Sequence, residues 1–126
     1  MIGAAQIRED ATKFMILMGD GGGAWEELTA AEQASVIERH GAFQRALEAE
    51  GKYVGSYRVA GPESARTVRL DARGRVHLTD GPFAESKEAL GGLYIIEAAT
   101  LAEAVECARR CRFIPGSNEV RQIVWA

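Results

Sequence analysis

The sequence predicts a single α+β domain: an antiparallel sheet carrying two helices, with an extra hairpin. Three observations predict it. Short apolar runs such as Lys13–Met18 and Leu93–Ala98 have the length of buried strands. Two capping boxes, Thr29-Ala30-Ala31-Glu32 and Thr100-Leu101-Ala102-Glu103, each open a helical stretch. Glycine-rich turns separate these segments, and the chain has 14 Gly in 126 residues. That length suits one domain able to bury its own core without a staple.

The elements follow in order. Residues 1–12 show no period and read as a loosely held extension to a domain over 13–126. Lys13–Met18 is a buried strand, and Gly19-Asp20-Gly21-Gly22-Gly23 breaks it. That loop lacks the Lys-Ser/Thr of a phosphate-binding loop, so it reads as a connector. The helix at 29–50 ends at Gly51. Its apolar stripe runs Val36, His40, Phe43, Leu47, at spacings of four, three and four. Lys52–Ala60 is a strand, ended by Gly61-Pro62. Thr67–Leu70 and Arg75–Leu78 alternate polar and apolar around Asp71-Ala72-Arg73-Gly74, a hairpin with Val68, Leu70, Val76 and Leu78 facing inward. Ala84–Leu90 reads as a short helix stopped by Gly91-Gly92. Leu93–Ala98 is a strand. The second helix runs to about Cys111, with Leu101, Ala104, Val105 and Ala108 on its core face. Glu119–Trp125 is the last strand. Without the hairpin the order is β-α-β-β-α-β, the ferredoxin-like split unit. Apolar residues on both faces of the first strand say that the face away from the helices is buried too. A second copy is the simplest cover, so the expectation is a homodimer packed sheet to sheet.

Composition excludes several functions. Fifteen Lys+Arg against 18 Asp+Glu give a net charge of −3, no footprint for nucleic acid. No apolar run approaches the ~20 residues of a membrane span, and the N-terminal residues are too polar for a secretory signal. Cys107 and Cys111, four apart, read as core-lining thiols of a reducing, cytoplasmic protein, because the spacing directs their Cβ atoms poorly for a disulfide. With only two Cys and two His, no metal site is expected.

Few residues are left to carry chemistry. His40 is centred on a buried stripe, where an imidazole is costly unless hydrogen-bonded. It reads either as a core histidine held by a carbonyl or as an acid or base at the floor of a cleft. In Asp80-Gly81-Pro82-Phe83 the Gly-Pro pair makes a stiff turn. Asp80 is either a turn cap or an acid that would orient His40. His77 alternates with Val76 and Leu78 and reads as solvated. Lys87 is a surface lysine or an anion contact. Tyr53, Tyr57 and Tyr94 are packing residues or pocket walls. There is no nucleophile elbow and no His-Glu-x-x-His motif, so any enzyme here uses His and Asp without a cofactor.

The stretch Thr79-Asp80-Gly81-Pro82-Phe83-Ala84-Glu85-Ser86-Lys87-Glu88, with Leu90-Gly91-Gly92 and Tyr94-Ile95-Ile96-Glu97 after it, resembles the DGPF proteins, a branch of the YCII-related family. So do Phe14-Met15-Ile16-Leu17-Met18, Trp25, Leu28, Gly116-Ser117 and Glu119-Val120-Arg121. The likeness spans about 13–124. It implies a dimeric α+β barrel in which two ferredoxin-like sheets face each other. It also implies a His–Asp active-site pair, the His eleven residues before a glycine as His40 stands before Gly51; Asp80 is the matching Asp. Ser86 stands where the family has Thr. Gly55-Ser56-Tyr57-Arg58 departs from the family's Gly-Gly-Glu-like stretch. Some relatives accompany extracytoplasmic-function sigma factors, and a few act in aromatic-compound breakdown. Two functional readings follow. One is a cofactor-free isomerase or lyase on a small cyclic substrate, with catalytic His40 and Asp80 and with Gly81, Pro82, Phe83, Tyr57 and Lys87 binding the substrate. The other is a non-catalytic ligand-binding or regulatory module, with a sigma factor as the partner the resemblance implies.

Overall fold

A computed structural model describes residues 13–21, 23–81 and 88–124. In chain order the elements are strand β1 (Lys13–Gly21), helix α1 (Ala30–Ala49), β2 (Tyr53–Arg58), a 3-10 turn (Pro62–Ser64), β3 (Arg66–Leu70), β4 (Val76–Asp80), β5 (Glu88–Glu97), α2 (Leu101–Arg109) and β6 (Asn118–Gln122). Four strands form one antiparallel sheet in the order β2-β5-β1-β6, and β3 and β4 form a separate two-stranded sheet. With the β3–β4 hairpin set aside, the order is compatible with a ferredoxin-like unit.

The capping arithmetic holds for α1. Glu32 N–H donates to Thr29 Oγ1 at 3.1 Å, and Thr29 N–H donates back to Glu32 Oε1 at 2.9 Å. Gly51 follows the helix with φ +71, open to glycine without penalty. For α2 the box is half made. Glu103 N–H donates to Thr100 Oγ1, but the Glu103 carboxylate accepts from Ala99 N–H and pairs with Lys52 at 3.0 Å.

β1 and β5 pair with Phe14 opposite Ile96 and Ile16 opposite Tyr94. These four face both helices. They meet Phe43 and Leu47 of α1, Ala104, Cys107 and Ala108 of α2, and Cys111 just beyond it. Both cysteines are buried and free, as the helical spacing implied. The alternate residues Met15, Leu17, Leu93 and Ile95 line the opposite face and are half-buried.

Several expectations need correction. The glycines after Met18 do not end β1. It continues to Gly21 across a register shift at Met18/Gly19, because the far end of β5 is there to pair with Gly19 and Asp20. Glu88–Leu90, expected to close a short helix, are the start of β5; residues 82–87 lie outside the described residues. Leu101 is exposed, and Cys107 takes the core position one turn on from Ala104. Val68, Leu70, Val76 and Leu78 do share one face of the hairpin, but they are 66–71% exposed, so that face is not turned to the core. The pair of strands stands off the main sheet. Trp125 lies outside the described residues, and β6 ends at Gln122.

Candidate functional site

α1 presents Val36, Ile37, His40, Gly41 and Gln44 toward a cavity of about 900 Å³. The opposite walls come from Tyr57 and Arg58 at the end of β2, Leu93 and Tyr94 of β5, and Trp25, which follows the glycines after β1. Arg112, Phe113 and Ile114, past α2, close another side. The lining is mostly apolar with a few convergent polar groups, as in most small-molecule sites.

His40 is the polar centre of this cavity. Its Nδ1 lies 2.8 Å from the Tyr94 hydroxyl. Its ring stacks against Tyr94 at 5.9 Å between centroids and meets the edge of Phe113 at 4.8 Å. Phe43 in turn buttresses Tyr94 edge-on at 5.2 Å. Burial, and then the nearby Arg112 guanidinium, lower the His40 pKa, so the ring is neutral at pH 7. Burial pushes the Tyr94 hydroxyl well above its ordinary value, so it stays protonated. Among the described residues no protein group bonds Nε2, and no buried side-chain nitrogen or oxygen is left without a partner, so Nε2 opens to the cavity.

Two cations border the site and differ in freedom. Arg112 is committed to structure: its Nε donates to Ile114 O, and its Nη1 to Gly19 O, Ser117 O and Asn118 Oδ1. Arg58 lies over the Trp25 ring, 4.3 Å from its centroid. Asp20 lines the cavity while accepting from Ala24 N–H at 2.9 Å.

The residues singled out in the sequence fall in different places. His40 and Tyr57 line the cavity together. Asp80 ends β4, far more exposed, and its carboxylate pairs with Arg66 at 3.1 Å. No contact joins it to His40 among the described residues. Gly81 has φ +97, and its carbonyl accepts from Thr67 Oγ1 at 2.7 Å, fastening the base of the hairpin. Pro82, Phe83 and Lys87 lie outside the described residues. His77 is exposed on the hairpin's polar face, with Nε2 2.8 Å from Asp71 Oδ2. Among the described residues no group of three or more His, Cys, Asp or Glu is placed to hold a metal ion, and no helix is long and apolar enough to cross a membrane. Sequence reasoning left Tyr94 as packing or a pocket wall without joining it to His40, and passed over Arg112 and Phe113. A signal for Tyr94 was available: it alternates with Ile96, which puts its ring on the helix side of β5, under the stripe that carries His40.

Comparison with known proteins decides the family. The YCII-related domain matches residues 12–125, nearly the whole chain. The chain belongs to the YCII-related family. It is also 38% identical over 95 residues to an uncharacterized protein of Rhizobium meliloti (strain 1021), covering 73% of this chain and 76% of that relative.

Proposed function

We propose that this YCII-related protein, of the DGPF branch, is a cofactor-free isomerase or lyase acting on a small cyclic substrate, with His40 exchanging protons or hydrogen bonds in the cavity. The observation that carries this reading is one neutral imidazole held rigidly by Tyr94 and Phe113, its free nitrogen open to an apolar chamber of about 900 Å³. A neutral, pre-oriented imidazole is the form suited to general acid–base work near pH 7. Tyr57 provides a flat surface for a ring, and Trp25 lines the cavity beneath the Arg58 guanidinium. Asp80 enters the reading as a second candidate whose contribution the same experiment decides.

The experiment is turnover of a panel of unsaturated lactones and substituted hydroquinones by the parent, His40→Gln and Asp80→Asn. Loss in His40→Gln alone supports the reading with His40 at its centre. Loss in both supports a His–Asp pair. Turnover untouched by His40→Gln sinks it. The second reading, a non-catalytic ligand-binding or regulatory module with a protein partner such as a sigma factor, is favoured by the same Tyr94 bond, which would equally satisfy a structural histidine. There the panel binds or a partner pairs, no product forms, and His40→Gln lowers stability only.

We further propose a homodimer in the cytoplasm. The free buried thiols support a reducing compartment. The exposed apolar face of the hairpin and the apolar outer face of the sheet support self-association.

A further inference from the structure

We infer that Tyr94 locks His40 as the Nε2–H imidazole, so that the cavity presents a hydrogen-bond donor and takes a cyclic ligand through a carbonyl oxygen. The inference rests on the reading of this cavity as a small-molecule site and names the chemistry its ligand must have.

Tyr94 is 5% exposed, and its hydroxyl has one proton to place. The acceptor within reach is His40 Nδ1, at 2.8 Å; no other partner of this hydroxyl stands among the described residues. A phenol with one acceptor donates to it. A ring nitrogen that accepts carries no proton, so a neutral imidazole then bears its proton on the other nitrogen. The reverse arrangement, Nδ1–H donating to the phenol oxygen, would leave the phenol proton without an acceptor among the described residues, which is unfavourable for a buried hydroxyl. Burial and Arg112 keep the ring from taking a second proton.

The consequence is chemical. In this tautomer Nε2–H meets a ligand as a donor and not as a base, which narrows the acid–base role proposed for His40 to its donor half. Such a group can hold a carbonyl oxygen and stabilise negative charge that grows on it, as preorganised donors do in dry sites. The cavity wall carries charges of both signs, Arg58 and Arg112 against Asp20, Glu26 and Glu63, and Arg112 is the one that acts on the His40 ring. The Arg112 guanidinium lies near the ring, and Arg58 stands at the cavity wall with its cationic face on Trp25. The Asp20 carboxylate, the acidic group from β1, is engaged by the Ala24 amide. Tyr94 is thus a positioning residue: it acts on the ligand through His40.

The test reads the tautomer directly. The chain has two histidines, so a His77→Asn protein labelled with ¹⁵N leaves His40 alone in long-range ¹H–¹⁵N spectra. The expected result is a single neutral form protonated at Nε2. Tyr94→Phe should lose this, with an Nδ1–H form becoming visible while the dispersed methyl spectrum shows the fold intact. An Nδ1–H ring, or a mixture of tautomers in the Tyr94 protein, overturns the inference, and that readout needs no variant at Tyr94 to fold. The ligand half is read by titrating 2-cyclohexenone against cyclohexene. A His40 Nε2 shift with the ketone and not the alkene supports it. Shifts of cavity residues with both probes, but equal at Nε2, overturn the carbonyl assignment. No shift anywhere in the cavity with either probe overturns the small-molecule reading itself.

Discussion

His40 sits where its protonation works against folding. Desolvation and Arg112 hold its pKa below the ordinary value of 6.5, which the unfolded chain recovers. The unfolded state therefore binds the proton more readily, and stability rises with pH through the window below about 6.5. Its contribution is complete above that value and is lost progressively as pH falls through it. Tyr94 on β5, Arg112 after α2, Arg58 on β2, Asp20 on β1, Glu26 before α1 and Glu63 in the 3-10 turn surround the cavity, and among the described residues none of these carboxylates is bonded to the ring to offset the effect. His40→Gln should accordingly flatten the fall in melting temperature between about pH 7 and pH 5. Equal slopes in variant and parent would assign that fall elsewhere. Cys111 makes a second residue-scale case. Burial is the main cause that pushes its thiol up to about 11, and Cys107 is raised for the same reason. Thiolates are the reactive form, so alkylation by iodoacetamide at pH 8 should be negligible in the native protein and rapid in denaturant. Rapid labelling of the native fold would contradict the burial of both thiols.

Between elements, single glycines decide how closely parts approach. A Cβ on Gly92 of β5 would come within 2.7 Å of the Tyr57 carbonyl on β2. That neighbour is backbone and cannot swing away. Gly92→Ala should therefore destabilise by roughly 1–3 kcal/mol, as overpacking does, and shift the β2 end that carries Tyr57 and Arg58 to the cavity. Urea midpoints measure the first effect and NMR shifts of the Tyr57 ring the second. Gly41 has the opposite sign. It lies inside α1, and a Cβ there meets nothing closer than the tip of Arg45 at 3.4 Å. Gly41→Ala should stabilise the helix by about 0.5–1 kcal/mol, while narrowing a cavity that Gly41 lines. A loss of stability would place an unseen packing role at Gly41. These elements were the readable part. The capping box at Thr29, the Thr100 cap, the His40 stripe and the four sheet strands follow from local periodicity and capping. The site was half readable: period placed His40 correctly, but its partner is set by strand register. Ile16 opposite Tyr94 is a tertiary fact, and no spacing between residues 40 and 94 encodes it. Asp80 and the hairpin show the converse. Alternation gave the right face and could not say whether anything covers it.

For the whole molecule, that uncovered face is the unsettled term. Val68 pairs with Leu78 and Leu70 with Val76, so four large apolar side chains, 66–71% exposed, form one patch. The patch amounts to on the order of 500 Å² per hairpin, near the upper end of what a monomer exposes. Two hairpins, each covering an equal area of another copy, reach roughly the 1,600–2,000 Å² of a stable two-fold interface. The half-buried outer face of the sheet, with Met15, Leu17, Leu93 and Ile95, is the apolar surface available to receive them. The parent should sediment as a dimer at micromolar concentration. Leu70→Lys combined with Leu78→Lys should sediment as a monomer with unchanged far-ultraviolet circular dichroism, since neither side chain contributes to the core of its own protomer. A monomeric parent would refute self-association. A parent dimer that survives the double substitution would move the interface to the sheet face alone and leave the hairpin free for another partner.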